Sequence, residues 1–338
     1  MSIAASECLT TNPLLELADL FADKIVQVDQ LLKKRAYSVI PALPLVSSHI
    51  IESGGKRIRP LLTLAAARLC GYTEGDRDIR LAACIEFLHT ATLLHDDVID
   101  ESPLRRGKPT AQHIWGNQMS ILTGDFLFAK LFELLVEDGA LDVLKLMVEA
   151  SQKIIEGEVL QLGTKAKSFV SKEDYFTIIE AKTAVLFGAA LELGALAANA
   201  SSEQINALRV YAHNIGMAFQ LIDDMLDYTA DEPVLGKQIG NDFFEGQVTL
   251  PIIILYEKIE TNPKLLEKLT AVITNLDRSK VDFQWVRGLL IQANVFSVIE
   301  KNAYNFAEQA REALSVFKNS SLKKTLIDLT YFVVNRCN

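Results

Sequence analysis

No proline interrupts the chain between Pro109 and Pro233, a stretch rich in Ala, Leu, Glu and Lys. Proline removes a backbone donor and clashes with the preceding turn, whereas the residues that fill this stretch are strong helix formers. Such a segment has little choice but to become long helices. Apolar residues recur at helical spacing at Leu141, Leu144, Val148, Ile155, Val159 and Leu162, which fall on one stripe. Ala303, Phe306, Ala307, Ala310, Leu314 and Phe317 form another. No alternating strand pattern stands out. The run LPIIILY, Leu250 to Tyr256, has strand-like composition, but its helical neighbourhood favours a buried helix. Small residues gather at Gly188, Ala189, Ala190, Gly194, Ala195, Ala197 and Ala198, where helices could pack closely or line a cavity. The expectation is an all-α fold, one large helical bundle of ten or more helices. With no clear linker, residues 1–338 read as a single domain.

Charge and cysteine usage narrow the function. The net charge of −9 argues against generic nucleic-acid binding. Cys8, Cys70, Cys84 and Cys337 form no CxxC pair, which suggests reduced thiols in a cytoplasmic protein. The first basic residue is Lys24, so neither a secretory signal nor an Arg-rich transit peptide is expected. The most apolar long run, KTAVLFGAALELGALAANA from Lys182, is interrupted by Glu192, and no transmembrane segment is expected.

The stretch LLHDDVIDESPLRRGKPT, Leu93 to Thr110, concentrates opposite charges. On a helix Asp96 and Asp100 project from one face, with Asp97 turned roughly 100° away. Like charges at that spacing destabilise a helix unless a cation neutralises them. The spacing recurs in FQLIDDMLDY, where Asp223, Asp224 and Asp227 are embedded in Phe219, Leu221, Ile222, Met225 and Leu226. Carboxylates in apolar surroundings need protons, partners or metal ions. Two such clusters make sense if they face each other across a cavity and share divalent cations. Oxygen donors without a His/Cys set suit magnesium, which binds substrate phosphates through few carboxylates.

Cations cluster as well. SGGKRIRP carries Lys56, Arg57 and Arg59, and the segment after the first aspartates carries Arg105, Arg106 and Lys108. Arginine forks match phosphate oxygens, so these sets look like anion recognition. No GxxxxGK[ST] motif is present, and ATP binding is unsupported. Two acidic and two basic sets imply two phosphorylated substrates held differently: one diphosphate bridged by metal as a leaving group, the other gripped by Lys and Arg. His89, seven residues before Asp96, shares its helical stripe and is a further candidate; His95 reads as structural.

These motifs, GGKRIRP, LLHDDVIDESPLRRG, KT at Lys182, FQLIDDMLDY and GNDFFEGQVTLP, stand in the order seen in trans-isoprenyl diphosphate synthases. The chain resembles that family, of the long-chain polyprenyl (octaprenyl) type, roughly from Gly54 to the C-terminus. The resemblance implies an isoprenoid-synthase helical bundle around a central elongated cavity. It also implies about three Mg2+ ions held by Asp96, Asp100 and Asp223, with Asp97, Asp224 and Asp227 supporting. Arg105, Lys182, Thr183, Gln220 and Lys237 would contact the allylic diphosphate. Lys56, Arg59, His89 and Arg106 would hold isopentenyl diphosphate. The family commonly forms homodimers, and the same is expected here. One departure stands out: EGQVTLP has Gln247 where the family usually has lysine, and a neutral amide cannot supply that charge.

By the same resemblance, Ala91, five residues before Asp96, faces the tunnel for the growing chain. Short-chain enzymes often carry Phe or Tyr there, so Ala91 leaves the path open. Leu88, Cys84 and Phe87 follow as candidates for lining or floor, and Phe128 and Phe132 could close the tunnel; each is equally an ordinary core position. A long product is expected, octaprenyl first, with nonaprenyl or decaprenyl open and a quinone side chain as its destination. Three rivals remain: a shorter-chain synthase, a terpene cyclase and a non-catalytic length-setting subunit. The second diphosphate clamp weighs against the cyclase, and both intact aspartate sets weigh against the subunit.

Overall fold

The computed structural model describes residues 12–53, 55–164, 169–229, 239–275 and 277–336. The helices run α1 Pro13–Leu20, α2 Ala22–Arg35, α3 Ala42–Glu52, α4 Ile58–Leu69, α5 Arg77–Ile99, α6 Ala111–Trp115, α7 Asn117–Asp138, α8 Leu141–Thr164 and α9 Lys172–Ile179. A π-helical turn, Glu180–Ala184, joins α9 to α10, Val185–Ala197. Then come α11 Ser202–Thr229, α12 Asn241–Glu245, α13 Leu250–Ile259, α14 Pro263–Thr274, α15 Lys280–Gln292, α16 Val295–Ala313 and α17 Ser321–Val334. Among the described residues the only strands are β1 Leu104–Arg105 and β2 Lys108–Pro109, paired as an antiparallel hairpin. The expected all-α class is what the chain adopts.

Local chemistry starts several helices. Asn12, Ser171, Asn262 and Ser320 each accept a backbone N–H in the first turn, and Ser279 with Asp282 completes a capping box. The proline-free stretch becomes α7, α8, α9 with its π turn, α10 and α11, the last of 28 residues. LPIIILY forms most of α13 and is buried, as its setting suggested.

α5 and α10 form the centre. α5 packs against α2, α4, α7 and α10, and α10 packs against α4, α8 and α11. Both are apolar around most of their circumference, as helices surrounded by others must be. Gly194 explains how close α10 comes to α4: a Cβ there would lie 2.2 Å from the carbonyl oxygen of Thr63. Gly188, a turn and a half earlier, borders open space. The small-residue cluster thus serves close packing at one end and leaves room at the other. The buried apolar side chains join into one continuous core.

The two sequence stripes part company. Ala303, Ala307, Ala310, Leu314 and Phe317 are buried, and α16 lies along α11. On α8 the buried residues are Val143, Met147, Ala150, Ile154 and Gly157. Leu141, Val148, Ile155 and Val159 face outward, with Leu141 78% exposed, while Leu162 lines the acidic cleft. That stripe is genuine helical periodicity, but it marks an apolar outer face. Periodicity reports that a face is apolar, not what covers it.

Candidate active site

The first aspartate cluster occupies the C-terminal turn of α5, where the helix dipole disfavours negative charge. Burial adds to the cost: it pushes the Asp96 carboxyl up to about 7, with Glu158 adding and Lys182 and Arg105 opposing. Asp97 turns away from Asp96 and is buried, where Arg105 Nε donates to its Oδ1 at 2.8 Å. Arg105 belongs to β1, and Arg106 and Gly107 form the two-residue turn with φ of 50° and 75°. Positive φ at both positions suits a tight hairpin whose twist matches its strands. Asp97 therefore anchors the cationic hairpin beside the acidic helix end.

The second cluster ends α11. Asp223 is about half exposed and pairs with Arg336 at 3.5 Å, whose guanidinium lies 4.1 Å from the Phe219 ring centre. Asp224 is buried and receives hydrogen bonds from Tyr175 Oη and Gln220 Nε2, both at 2.6 Å. Burial pushes it up to about 7 despite those donors. Asp227 accepts the backbone N–H groups of Asn241 and Asp242, at 3.1 and 3.0 Å, and so holds the start of α12. Burial raises it to about 6 against those same bonds.

Asp100 and Asp224, one from each cluster, line a single cleft together with Glu158, Lys182, Gln220 and Asp242. Lys182 sits in the π turn, where the extra residue per turn redirects side chains. Its ammonium donates to Gln161 Oε1 at 2.8 Å and pairs with Glu158 at 2.9 Å. Thr183 donates to Gln220 at 2.8 Å. Lys182, Thr183 and Gln220 are thus brought together; Lys237 lies outside the described residues. Glu158, Gln161, Tyr175 and Asp242 were not singled out in the sequence. Asp242 falls within GNDFFEGQVTLP, but no spacing rule marks it. Glu158 and Gln161 look like ordinary polar positions on a long helix until α8 is placed.

Asp96, Asp224 and Asp227 bind protons more tightly in the folded chain than in the unfolded one. Without cations, the stability they contribute is complete below their unfolded value near 4 and is lost as pH rises through about 6 to 7. The thermal midpoint of cation-free protein should therefore fall across this interval, and Mg2+ with inorganic diphosphate should flatten the fall. A calorimetric pH series checks this; a midpoint that climbs contradicts it.

The basic residues divide into two kinds. Arg59 Nη1 lies 3.1 Å from His89 Nε2, and its guanidinium stacks 5.3 Å from the Phe187 ring centre. Burial, with Arg106 adding, lowers Arg59 to about 10. His89 is held far below its usual range by burial and by Arg59, Arg105, Arg106 and Arg57, so it is neutral and can accept from Arg59. Lys56 and Arg106 border a second cavity with Phe187, Phe219 and Arg336. This is a cationic rim over an aromatic floor. Arg57 departs from the expected anion-binding set. It bonds to Asp29 at 2.9 Å, Glu86 at 2.7 Å and the carbonyl of Ile51 at 2.8 Å, joining α2, α3 and α5. Removing one member of a buried pair leaves the other charge uncompensated, and Arg57→Ala should destabilise the fold by about 3 kcal/mol. Lys56→Ala, at an exposed position, should leave the thermal midpoint within a degree or two. Thermal melts of the two variants check the contrast.

Ala91, Leu88, Cys84 and Phe87 are all fully buried along α5. Phe128 is partly buried on α7, its ring 6.0 Å from that of His95, which also contacts the carbonyl of Ile121 at 3.1 Å. His95 packs as a structural residue. Phe132 departs from expectation: it is 50% exposed on the outer side of α7 and is not enclosed with Ala91. Sequence spacing put it on α7 but could not tell which side of that helix faces α5. Cys70 and Cys84 are free thiols; Cys8 and Cys337 lie outside the described residues.

The donors on the cleft walls are carboxylates, with no thiol or imidazole, and they suit a hard divalent cation. Among the described residues no three acidic, His or Cys groups converge closely enough to enclose an ion alone. Oxygens from a bound diphosphate would have to complete the shell, which is how magnesium is commonly held.

An all-helical bundle with acidic walls on one cleft and a cationic, aromatic-floored cavity beside it is an arrangement suited to binding diphosphate esters. Residues 41–284 match the family described as polyprenyl synthetase. The chain belongs to that family, and it is a prenyltransferase of isoprenoid biosynthesis. It is similar to the all-trans-nonaprenyl-diphosphate synthase (geranyl-diphosphate specific) of Rhodobacter capsulatus, with 38% identity over 93% of this chain and 95% of that protein. It is similar to the octaprenyl diphosphate synthase of Escherichia coli (strain K12) at 37% identity over 95% and 98%. Among solved structures, the polyprenyl synthase from Caulobacter crescentus CB15, complexed with calcium and isoprenyl diphosphate, aligns with a TM-score of 0.90 and 42% identity, covering 96% of this chain and 98% of that one. Among the described residues no helix is long and apolar enough to cross a membrane.

Proposed function

We propose that this enzyme extends an allylic diphosphate, farnesyl diphosphate first among candidates, by repeated head-to-tail addition of isopentenyl diphosphate, using Mg2+. The product is a long all-trans chain, octaprenyl in our reading, made in the cytoplasm for a quinone side chain. The observation that carries this is the cleft itself: Asp100 and Asp224, over a hundred residues apart, line it together with Lys182. The Caulobacter relative is complexed with calcium and isoprenyl diphosphate, which supports a divalent cation and a diphosphate ester as ligands here. Relatives of nearly equal identity are named for eight-unit and nine-unit products, so product length rests on the tunnel residues.

When bound, Mg2+ would neutralise the charge that gathers on a departing diphosphate. Asp96, Asp100 and Asp223 would hold the cations, and Asp224, next to Asp223 on α11, would support them. Lys182, Thr183, Gln220 and Arg105 would fix the allylic diphosphate so that its C–O bond breaks inside the cleft. Lysine at 237 would join them. Lys56, Arg59 and Arg106 would hold isopentenyl diphosphate, with neutral His89 fixing the Arg59 fork. The isopentenyl double bond then attacks the allylic cation, and loss of a proton completes one extension. The released diphosphate is the base; no side chain is assigned to that step.

Purified protein should incorporate labelled isopentenyl diphosphate onto farnesyl diphosphate only when Mg2+ is supplied. Absence of incorporation by the homomer would favour a length-setting subunit, and a cyclic hydrocarbon would favour a cyclase. The enzyme is also proposed to be a homodimer. Phe132, Val136, Leu141, Val148, Ile155 and Val159 are exposed apolar side chains on α7 and α8, surface of the kind an oligomer covers. Val148→Asp with Ile155→Asp should convert a dimer to a monomer in light scattering; an unchanged mass counts against this face.

A further inference from the structure

Gln247 stands where a lysine is usual in the resembling motif, yet its amide is engaged on both sides. Its Oε1 accepts from Gln161 Nε2 at 2.8 Å, and its Nε2 donates to Glu245 Oε2 at 2.8 Å. Gln161 in turn presents its Oε1 to the Lys182 ammonium at 2.8 Å. The order is forced. An ammonium only donates, so Gln161 must turn its carbonyl to Lys182 and its NH2 to position 247. Whatever stands at 247 must then accept.

The chain continues through the backbone. The Gln247 N–H donates to the carbonyl of Asp242 at 2.8 Å, and the N–H groups of Asn241 and Asp242 donate to Asp227. A continuous series of directed hydrogen bonds thus runs from the second aspartate cluster, through α12, across the cleft to α8 and onto Lys182. Gln161, Lys182, Asp242 and Gln247 all line that cleft.

We propose that Gln247 is a positioning residue: it fixes the amide orientation of Gln161, and through it the place of Lys182 in the cleft, while Asp227 holds the segment that carries Gln247. This rests on the reading of Lys182 as a contact to the allylic diphosphate. The role is one a neutral accepting amide performs and a lysine cannot.

Binding of farnesyl diphosphate with Mg2+, measured by calorimetry without isopentenyl diphosphate, tests it. Gln247→Ala should weaken this binding about fivefold, the scale of one lost hydrogen bond to a positioned group. Isopentenyl diphosphate KM should stay within twofold, because Lys56, Arg59 and Arg106 are untouched. Asp227→Asn with Gln247→Ala should cost little more than either alone, since both break one series. The discriminating background is Gln161→Glu. A carboxylate accepts from Lys182 in any orientation, so Gln247→Ala should then have no further effect. An equal loss in that background, a parallel rise in isopentenyl diphosphate KM, or fully multiplicative losses with Asp227→Asn would each overturn the proposal. Wild-type protein that binds no farnesyl diphosphate would overturn the functional reading instead, and Gln247→Ala binding as tightly as wild type would overturn the positioning role alone.

Discussion

Asp100→Asn lowers kcat by about 10² to 10³-fold, the loss typical when one preorganised electrostatic group at a reacting centre is removed. The thermal midpoint does not fall with it. Asp100 ends α5, where it repels the carboxyl of Asp96 and attracts the Lys182 ammonium, so an amide there removes one repulsion and one attraction and leaves the midpoint near wild type. Activity and stability should move apart. A Mg2+ titration of labelled isopentenyl incorporation, run beside a melt of the same preparation, reads both. A variant that keeps wild-type turnover removes Asp100 from the machinery; one that melts early with normal turnover per folded molecule makes it structural.

Ala91→Phe shortens the product sharply. Ala91 is fully buried on α5, one turn below the acidic end, with Leu88, Phe87 and Cys84 deeper along the same helix. In the proposed reading the growing chain runs from Asp96 down α5, and a phenyl ring at position 91 would stand in its way. Overpacking a well-filled site costs about 1–3 kcal/mol, so the melt should drop while the protein remains folded. Mass analysis of extracted products is the measurement. Unchanged chain length would place the tunnel elsewhere, and lost turnover with unaltered products would make Ala91 a packing residue only.

Much of the site was legible because both aspartate clusters announce themselves by spacing and apolar setting. Their roles within each cluster were not. Asp97 and Asp227 look identical to their neighbours in sequence, yet one anchors Arg105 and the other caps α12. Arg57 and Arg59 differ by two positions and face opposite tasks, the first tying α2 and α5 together and the second lying over Phe187. Glu158 and Asp242 carried no signal, because a polar residue on a helix becomes a cleft wall only when other helices arrive.

Proline placement, helix formers and caps are local properties, and they alone determined that the chain is helical and roughly where its elements start. The order and spacing of the charged motifs likewise marked the candidate site, since a four-residue spacing aligns carboxylates on any helix. Which faces meet is a different matter. The apolar stripe of α8 turned outward and Phe132 with it, while α5 and α10 were buried around most of their circumference. Those outcomes depend on competition among all the helices for the same interior, which no single segment encodes.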